Sequence, residues 1–141
     1  MKRLLLTLGL SLSLGYGVCQ NVEIGEYEPV FSENNIVMSV AEGTYTESNR
    51  SHVRYFLKYE NYTNFPVELT FQKELHYGDQ CYGCDDNGEQ EYTVKIPANS
   101  TLVFDEDHRS KSFYIFVKDE NGWIKRQLTE LEIKNIKINQ L

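Results

Sequence analysis

Between Val53 and Phe71 the chain alternates apolar and polar residues with a period of two, twice over, around a single turn. Val53, Tyr55, Leu57 and Tyr59 alternate with Arg54, Phe56, Lys58 and Glu60, and Val67, Leu69 and Phe71 alternate with Glu68, Thr70 and Gln72. Successive side chains of a strand point to opposite faces, whereas a helix needs apolar residues three and four apart, so neither half can bury a helical stripe. Asn61-Tyr62-Thr63-Asn64-Phe65-Pro66 lies between them and is rich in turn-forming residues. The pattern predicts two adjacent antiparallel strands with their apolar faces inward.

The flanking sequence extends this all-β reading. Ile36, Met38 and Val40 alternate with Val37, Ser39 and Ala41, and Tyr92, Val94 and Ile96 alternate with Thr93 and Lys95. Glu42 to His52, rich in Gly, Thr, Ser and Asn, reads as a loop. Pro97 to Ser100 forms a turn, Thr101 to Phe104 a short strand and Asp105 to Lys111 a charged loop. Phe113 to Val117 is almost wholly apolar, as in a central strand covered on both faces. Asp119 to Gly122 carries a hairpin signal, with Trp123 and Ile124 starting the return and room for a short helical turn near Arg126 to Glu130. Leu131-Glu132-Ile133 and Ile136-Lys137-Ile138 alternate out of phase, which predicts a β-bulge at Lys134-Asn135. Seven to eight short strands without a convincing helix indicate an immunoglobulin-like antiparallel β-sandwich, the topology by architectural analogy alone. The inter-sheet disulfide of antibody domains has no counterpart, because no cysteine falls in these strands.

The N-terminus has a different character. Met1-Lys2-Arg3 is basic, Leu4 to Leu14 is apolar, and Gly15 to Cys19 supplies small residues before a polar chain begins. Those three regions in that order make a secretory signal peptide, read here as residues 1–19 with cleavage after Cys19. Lipidation of Cys19 is the rival reading, although Tyr16 and Val18 replace the residues a lipoprotein signal usually has there. The apolar run is shorter than the roughly 20 residues of a bilayer-spanning helix, so no transmembrane span is expected. Residues 20–34, with Glu23, Glu26, Glu28, Glu33 and Pro29, form an acidic arm or a short edge strand. Residues 35–141 form the sandwich. Loss of Lys2 and Arg3 leaves twelve basic against twenty-one acidic residues, shifting the net charge from −7 to −9. Such a chain is not expected to bind nucleic acid through phosphates.

Cleavage also removes one of three cysteines and leaves Cys81 and Cys84, in Gly78-Asp79-Gln80-Cys81-Tyr82-Gly83-Cys84-Asp85-Asp86-Asn87-Gly88-Glu89. An exported dithiol at this spacing favours a disulfide that shapes one loop, with a chain-entropy contribution of about 2 kcal/mol. A redox-active dithiol is a second reading, opposed by the surrounding acids, which raise thiol pKa values. A metal-stabilised domain is a third. One Cys-x-x-Cys is half a zinc site, to which His76 or His108 could add, while Asp85, Asp86, Asn87 and Glu89 offer oxygens for calcium outside any EF-hand frame. No metal or other cofactor is expected.

No nucleophile motif or phosphate loop is present, and His52, His76 and His108 are scattered, so catalysis is not expected. Flat rings on loops are better candidates, because they can stack on a sugar or anchor a partner protein. His76, Tyr77 and Tyr82 beside the cysteine pair, with Trp123 near the late turn, are the predicted binding residues. Asn49-Arg50-Ser51, Asn61-Tyr62-Thr63 and Asn99-Ser100-Thr101 match the glycosylation sequon and serve as loop markers.

The stretch from Val53 to Glu91 holds a Tyr-rich strand, Asn61-x-Thr63-x-x-Pro66-Val67, an alternating strand ending Lys73-Glu74, then Cys81-x-x-Cys84 and a glutamate. With Ser112-Phe113-Tyr114-Ile115-Phe116 and Leu131-Glu132-Ile133-Lys134-Asn135-Ile136 it resembles a family of uncharacterised small exported β-sandwich proteins of Bacteroidetes-type bacteria. The resemblance implies a sandwich and an exported location, and it supplies no catalytic residue. The expectation is a non-enzymatic binding or envelope structural module. Its partner would be an unknown protein or carbohydrate, and its place periplasmic, secreted or envelope-attached.

Overall fold

A computed structural model describes residues 20–85 and 87–141; the expected signal peptide, residues 1–19 with Cys19, and Asp86 lie outside the described residues. Ten strands form two antiparallel sheets packed as a β-sandwich, with no helix among the described residues. The first sheet contains β1 (Gln20–Ile24), β2 (Glu28–Glu33), β3 (Ile36–Glu47), β4 (Arg50–Asn61), β8 (Ser100–Leu102) and β9 (Tyr114–Asp119). The second contains β5 (Val67–Tyr77), β6 (Gln80–Tyr82), β7 (Glu91–Ile96) and β10 (Glu130–Gln140). No helix here is long and apolar enough to cross a membrane.

The acidic arm is an edge of the first sheet. β1 and β2 both run antiparallel to β3, and β2 is joined to it by a hairpin whose two turn residues, Asn34 and Asn35, both have positive φ. Asparagine tolerates that conformation, which the right-handed twist of a two-residue hairpin requires. The expected loop from Glu42 to His52 is instead the end of β3, a two-residue turn at Ser48-Asn49 and the start of β4, paired in register from Ile36↔Asn61 to Glu47↔Arg50. Its Gly and Thr content hid a polar strand. Gly43 is needed there, because a Cβ would collide with the Glu23 carbonyl on β1 and with the Phe56 ring.

The strongest period-2 segments are strands, as expected, but they are not neighbours. β4 belongs to the first sheet and β5 to the second, so residues 62–66 form a corner between layers. Asn61 holds that corner. It is 1% exposed, and its Nδ2 donates to the carbonyls of Phe65 (2.9 Å), Ile96 (3.2 Å) and Pro97 (3.0 Å). Its Oδ1 accepts from Thr63 N and Oγ1 at 2.9 and 2.7 Å. A second corner, residues 97–99, carries the chain back from β7 to β8, and Asn99 N donates to Thr63 O at 2.9 Å. One amide thus ties two crossings together.

Two further expectations change in the second half of the chain. The apolar strand at Phe113–Val117 is not central: β9 pairs only with β4 among the described residues. Its apolar character reflects cover from the facing sheet on one side and from residues 103–112 on the other, where Phe104 packs edge-on against Tyr45, Phe56 and Tyr114. The turn at Asp119–Gly122 forms, with the Asp119 carboxylate accepting from Asn121, Trp123 and Ile124 N, but it leads across to the second sheet rather than into a hairpin. The suggested helical turn at 126–130 does not form: residues 126–129 have no regular structure, and Glu130 begins β10. The bulge expected at Lys134-Asn135 is present: the β10–β5 register shifts between Lys134 and Lys137, and Asn135 has positive φ.

The core lies between the sheets. Ile36, Met38, Leu57 and Tyr59 face Val67, Leu69, Phe71 and Ile96, all fully or almost fully buried. Side chains of β4 and β5 also reach the β9 segment. Tyr59 Oη donates to Ser112 O, Lys73 Nζ to Lys111 O and Tyr114 O, and Tyr77 Oη to Phe116 O at 2.6 Å.

Candidate functional site

β9 on one sheet and β6 and β7 on the other are outermost strands on the same side of the sandwich, and between them a cleft of about 350 Å³ opens. The first sheet contributes His52, Arg54, Tyr114, Ile115 and Phe116; the second contributes Lys73, Leu75, Tyr77, Tyr82 and Tyr92. Gln90, Lys111 and Arg126 come from connecting segments. The lining therefore holds three arginine or lysine side chains beside the buried Lys73 and no carboxylate, in a chain of strongly acidic balance.

Lys73 sits at the base, 1% exposed, because it occupies the inward phase of β5 shared by Phe71, Leu75 and Tyr77. Burial, followed by the charge of Lys111, pulls its ammonium down to about 7. Two carbonyl acceptors and the Tyr92 ring, 4.2 Å away, work in the opposite direction by favouring the charged form. Arg54 lies between the faces of Tyr45 and Tyr114, at 3.9 and 4.3 Å. Burial lowers its pKa, but a guanidinium stays charged in a protein. Its Nε is buried without a hydrogen-bond partner, as is Nδ1 of His52, whose pKa is lowered by burial and then by Arg54. Buried polar atoms are nearly always satisfied, and two of the three unpaired buried side-chain atoms among the described residues belong to residues that line this cleft. Arg126 closes the outer end, its guanidinium 5.1 Å from the Tyr77 ring and 6.0 Å from that of Tyr82.

The predicted binding residues divide among three places. Tyr77 and Tyr82 come together in the cleft wall, 5.8 Å apart and edge-on. Tyr77 is not an exposed loop aromatic, however: it is 9% exposed and forms part of the core. His76 is on the opposite face of β5. Trp123 is 75% exposed and lies outside the cleft, with Arg50 5.7 Å from its ring. His108 bonds Asp105 at 2.9 Å and packs on Phe113. Lys73, Arg54 and Arg126 are not among the predicted binding residues, yet they line the cleft. For Lys73 the signal was available, since a lysine stands at an apolar position of a period-2 strand.

Cys81 and Cys84 stand at disulfide distance, with Cα atoms 5.9 Å apart. Cys81 is the middle residue of β6, which lies in the expected loop, and Cys84 follows in the connection to β7; β6 and β7 both pair with the same edge of β5. Gly83, at φ +77°, lies so close to Lys73 O and Gln90 that a Cβ would collide with both, and its carbonyl accepts from Gln72 Nε2 at 2.9 Å. On the outer face, His76 Nε2 lies 3.7 Å from Cys81 Sγ, 3.8 Å from Cys84 Sγ and 2.9 Å from Glu74 Oε1. Asn87 accepts from Glu89 N in a local turn, and Asp85 and Glu89 are exposed. No family model matches the chain, and no curated protein and no solved structure matches it.

Proposed function

We propose that the chain is an exported, non-enzymatic binding module or envelope component that takes a small organic anion in the cleft between its sheets. The observation that carries this is the lining: Arg54, Lys73, Lys111 and Arg126 converge on one aromatic-walled space without a carboxylate. Inside a low-dielectric cleft a single anionic group can meet several fixed donors, while Tyr82, Tyr92 and Tyr114 offer flat faces to a ring. An acidic sugar, with a carboxylate or sulfate on a compact ring, combines both features, and about 350 Å³ accommodates one or two such units. Export is supported by the order of charged, apolar and small residues at the N-terminus and by the resemblance to exported sandwich proteins. An immunoglobulin-like type for the sandwich is an analogy of architecture and carries no part of the functional reading.

Titration calorimetry with mono- and disaccharides in matched neutral and uronic-acid or sulfated forms tests the proposal. The acidic forms should bind at least about tenfold more tightly than the neutral ones, with affinity falling as salt rises. Arg126→Ala, at the outer end, should weaken acidic-sugar binding while leaving the thermal melt unchanged. Equal binding of neutral and acidic forms, or none by either, would overturn the assignment.

A further inference from the structure

β5 presents a second constellation on the face turned away from the cleft. We propose that, once the Cys81–Cys84 bridge is reduced, Glu74, His76, Cys81 and Cys84 hold a zinc-class divalent cation in a four-ligand site. Nothing in this proposal rests on the cleft or its ligand.

The strand geometry creates the set. Glu74 and His76 are two apart on β5 and share a face, and Cys81 of β6 is the register partner of His76. Gly83, held in a left-handed conformation, turns the chain so that Cys84 arrives beside the same imidazole. One ligand atom from each of the four residues lies within 4.8 Å of all the others. The two sulfur–nitrogen edges fit a small tetrahedron, and the other edges need the side chains to open slightly. With zinc–sulfur near 2.3 Å and zinc–nitrogen or –oxygen near 2.0–2.2 Å, sulfur–nitrogen edges are about 3.6 Å and the nitrogen–oxygen edge about 3.4 Å. The observed sulfur–nitrogen separations are 3.7 and 3.8 Å, and the nitrogen–oxygen separation is 2.9 Å. Opening the bridge frees the sulfurs to move to the roughly 3.8 Å that a sulfur–sulfur edge needs.

The surroundings suit a cation. Lys134 Nζ bonds Glu74 Oε2 at 2.5 Å, which orients the carboxylate and leaves Oε1 toward His76. The His76 backbone is fixed by Thr129, whose N and Oγ1 donate to its carbonyl at 2.8 and 3.0 Å. Two thiolates and an imidazole are borderline-soft donors, which select zinc over calcium or magnesium.

The reaction balances with a phosphine as reductant. The sulfur–sulfur bond takes two electrons from phosphorus and two protons from water, giving two thiols, and the phosphine keeps the oxygen as its oxide. Binding the cation then releases the two thiol protons to buffer and leaves two metal–thiolate bonds.

Cobalt(II) is the probe, because thiolate ligation gives an ultraviolet charge-transfer band and tetrahedral ligation gives intense visible bands. The full chain, reduced with phosphine, should take up one cobalt with both signatures, and zinc should displace it. The oxidised chain should show neither. His76→Ala and Glu74→Gln alter half-buried side chains outside the core and should keep the wild-type circular dichroism, yet each should weaken cobalt binding by about tenfold or more. Absence of the thiolate band in reduced wild type overturns the site. Wild-type cobalt affinity in both variants overturns it too, reducing it to adventitious chelation by two thiols. Loss of the β-sheet spectrum in the reduced chain that cobalt does not restore has the same consequence.

Discussion

Two polar side chains are buried almost equally deeply, and they live in opposite circumstances. Asn61 and Lys73 are each 1% exposed. Around Asn61 the accounts of hydrogen bonding close: three carbonyls and two Thr63 donors use its amide fully. Around Lys73 they do not. Its ammonium is bonded, but neighbouring Arg54 Nε and His52 Nδ1 have no partner, and the space they border is open. A buried unsatisfied donor costs about 1–3 kcal/mol, so the two ends differ in how completely their polar groups are compensated. The Asn61 end builds the sandwich, and the Lys73 end borders the cleft in which the anion is proposed to bind.

The sharpest way to break this contrast is Asn61→Ala. The substitution frees two corners and leaves buried carbonyls without donors, so it should lower unfolding free energy by about 3 kcal/mol or more in urea titration. A loss under about 1 kcal/mol would mean that the corner is held by other contacts. Lys73→Met should act differently. The Lys73 pKa is lower folded than unfolded, so the unfolded chain binds more protons between about pH 7 and pH 10.5 and wild-type stability rises with pH across that window. Below it both states are charged, and the burial cost is present in full. Urea titrations from about pH 7 to 9.5, before tyrosines ionise, should show a rise on the order of 2 kcal/mol in wild type that Lys73→Met lacks. A flat wild-type profile would place the ammonium in a fully compensated site like that of Asn61. The smallest effect belongs to Trp123→Ala: the ring is 75% exposed and outside the cleft, so stability should change by less than about 0.5 kcal/mol and acidic-sugar affinity should not change.

The contrast also explains what could be read from the chain. Alternation is local, so the strands at 53–59, 67–71 and 92–96 and the bulge at Lys134-Asn135 were visible in residue order. Pairing is not local. Asn61 to Pro66 has the composition of a hairpin turn and works as an inter-sheet corner, because the bonds that decide it run to Ile96 and Pro97, more than thirty residues away. Arg54 alternates as a polar-face residue should; only residues 103–112 folding over that face make it part of a cleft. His76 and Glu74 could have been placed on one face by their spacing, but their meeting with both cysteines depends on the pairing of β6 with β5. Lys73 is legible as a charge in the apolar phase of β5, shared with Leu69, Phe71 and Leu75.

The donors that reach the β9 segment have a consequence for crowding. A strand at the margin of a sheet exposes a row of backbone groups on which another molecule's strand can grow. Tyr59, Lys73 and Tyr77 occupy the carbonyls of Ser112, Tyr114 and Phe116 with side chains, so a foreign strand finds these acceptors taken. β1 and β2 carry Glu23, Glu28, Glu33 and Pro29 at the opposite margin, and β10 carries its bulge with Lys134 and Lys137. These margins are blunted by different devices, and one of the three donors at β9 is the lysine that floors the cleft, so a side chain lining the proposed anion site also guards a sheet edge.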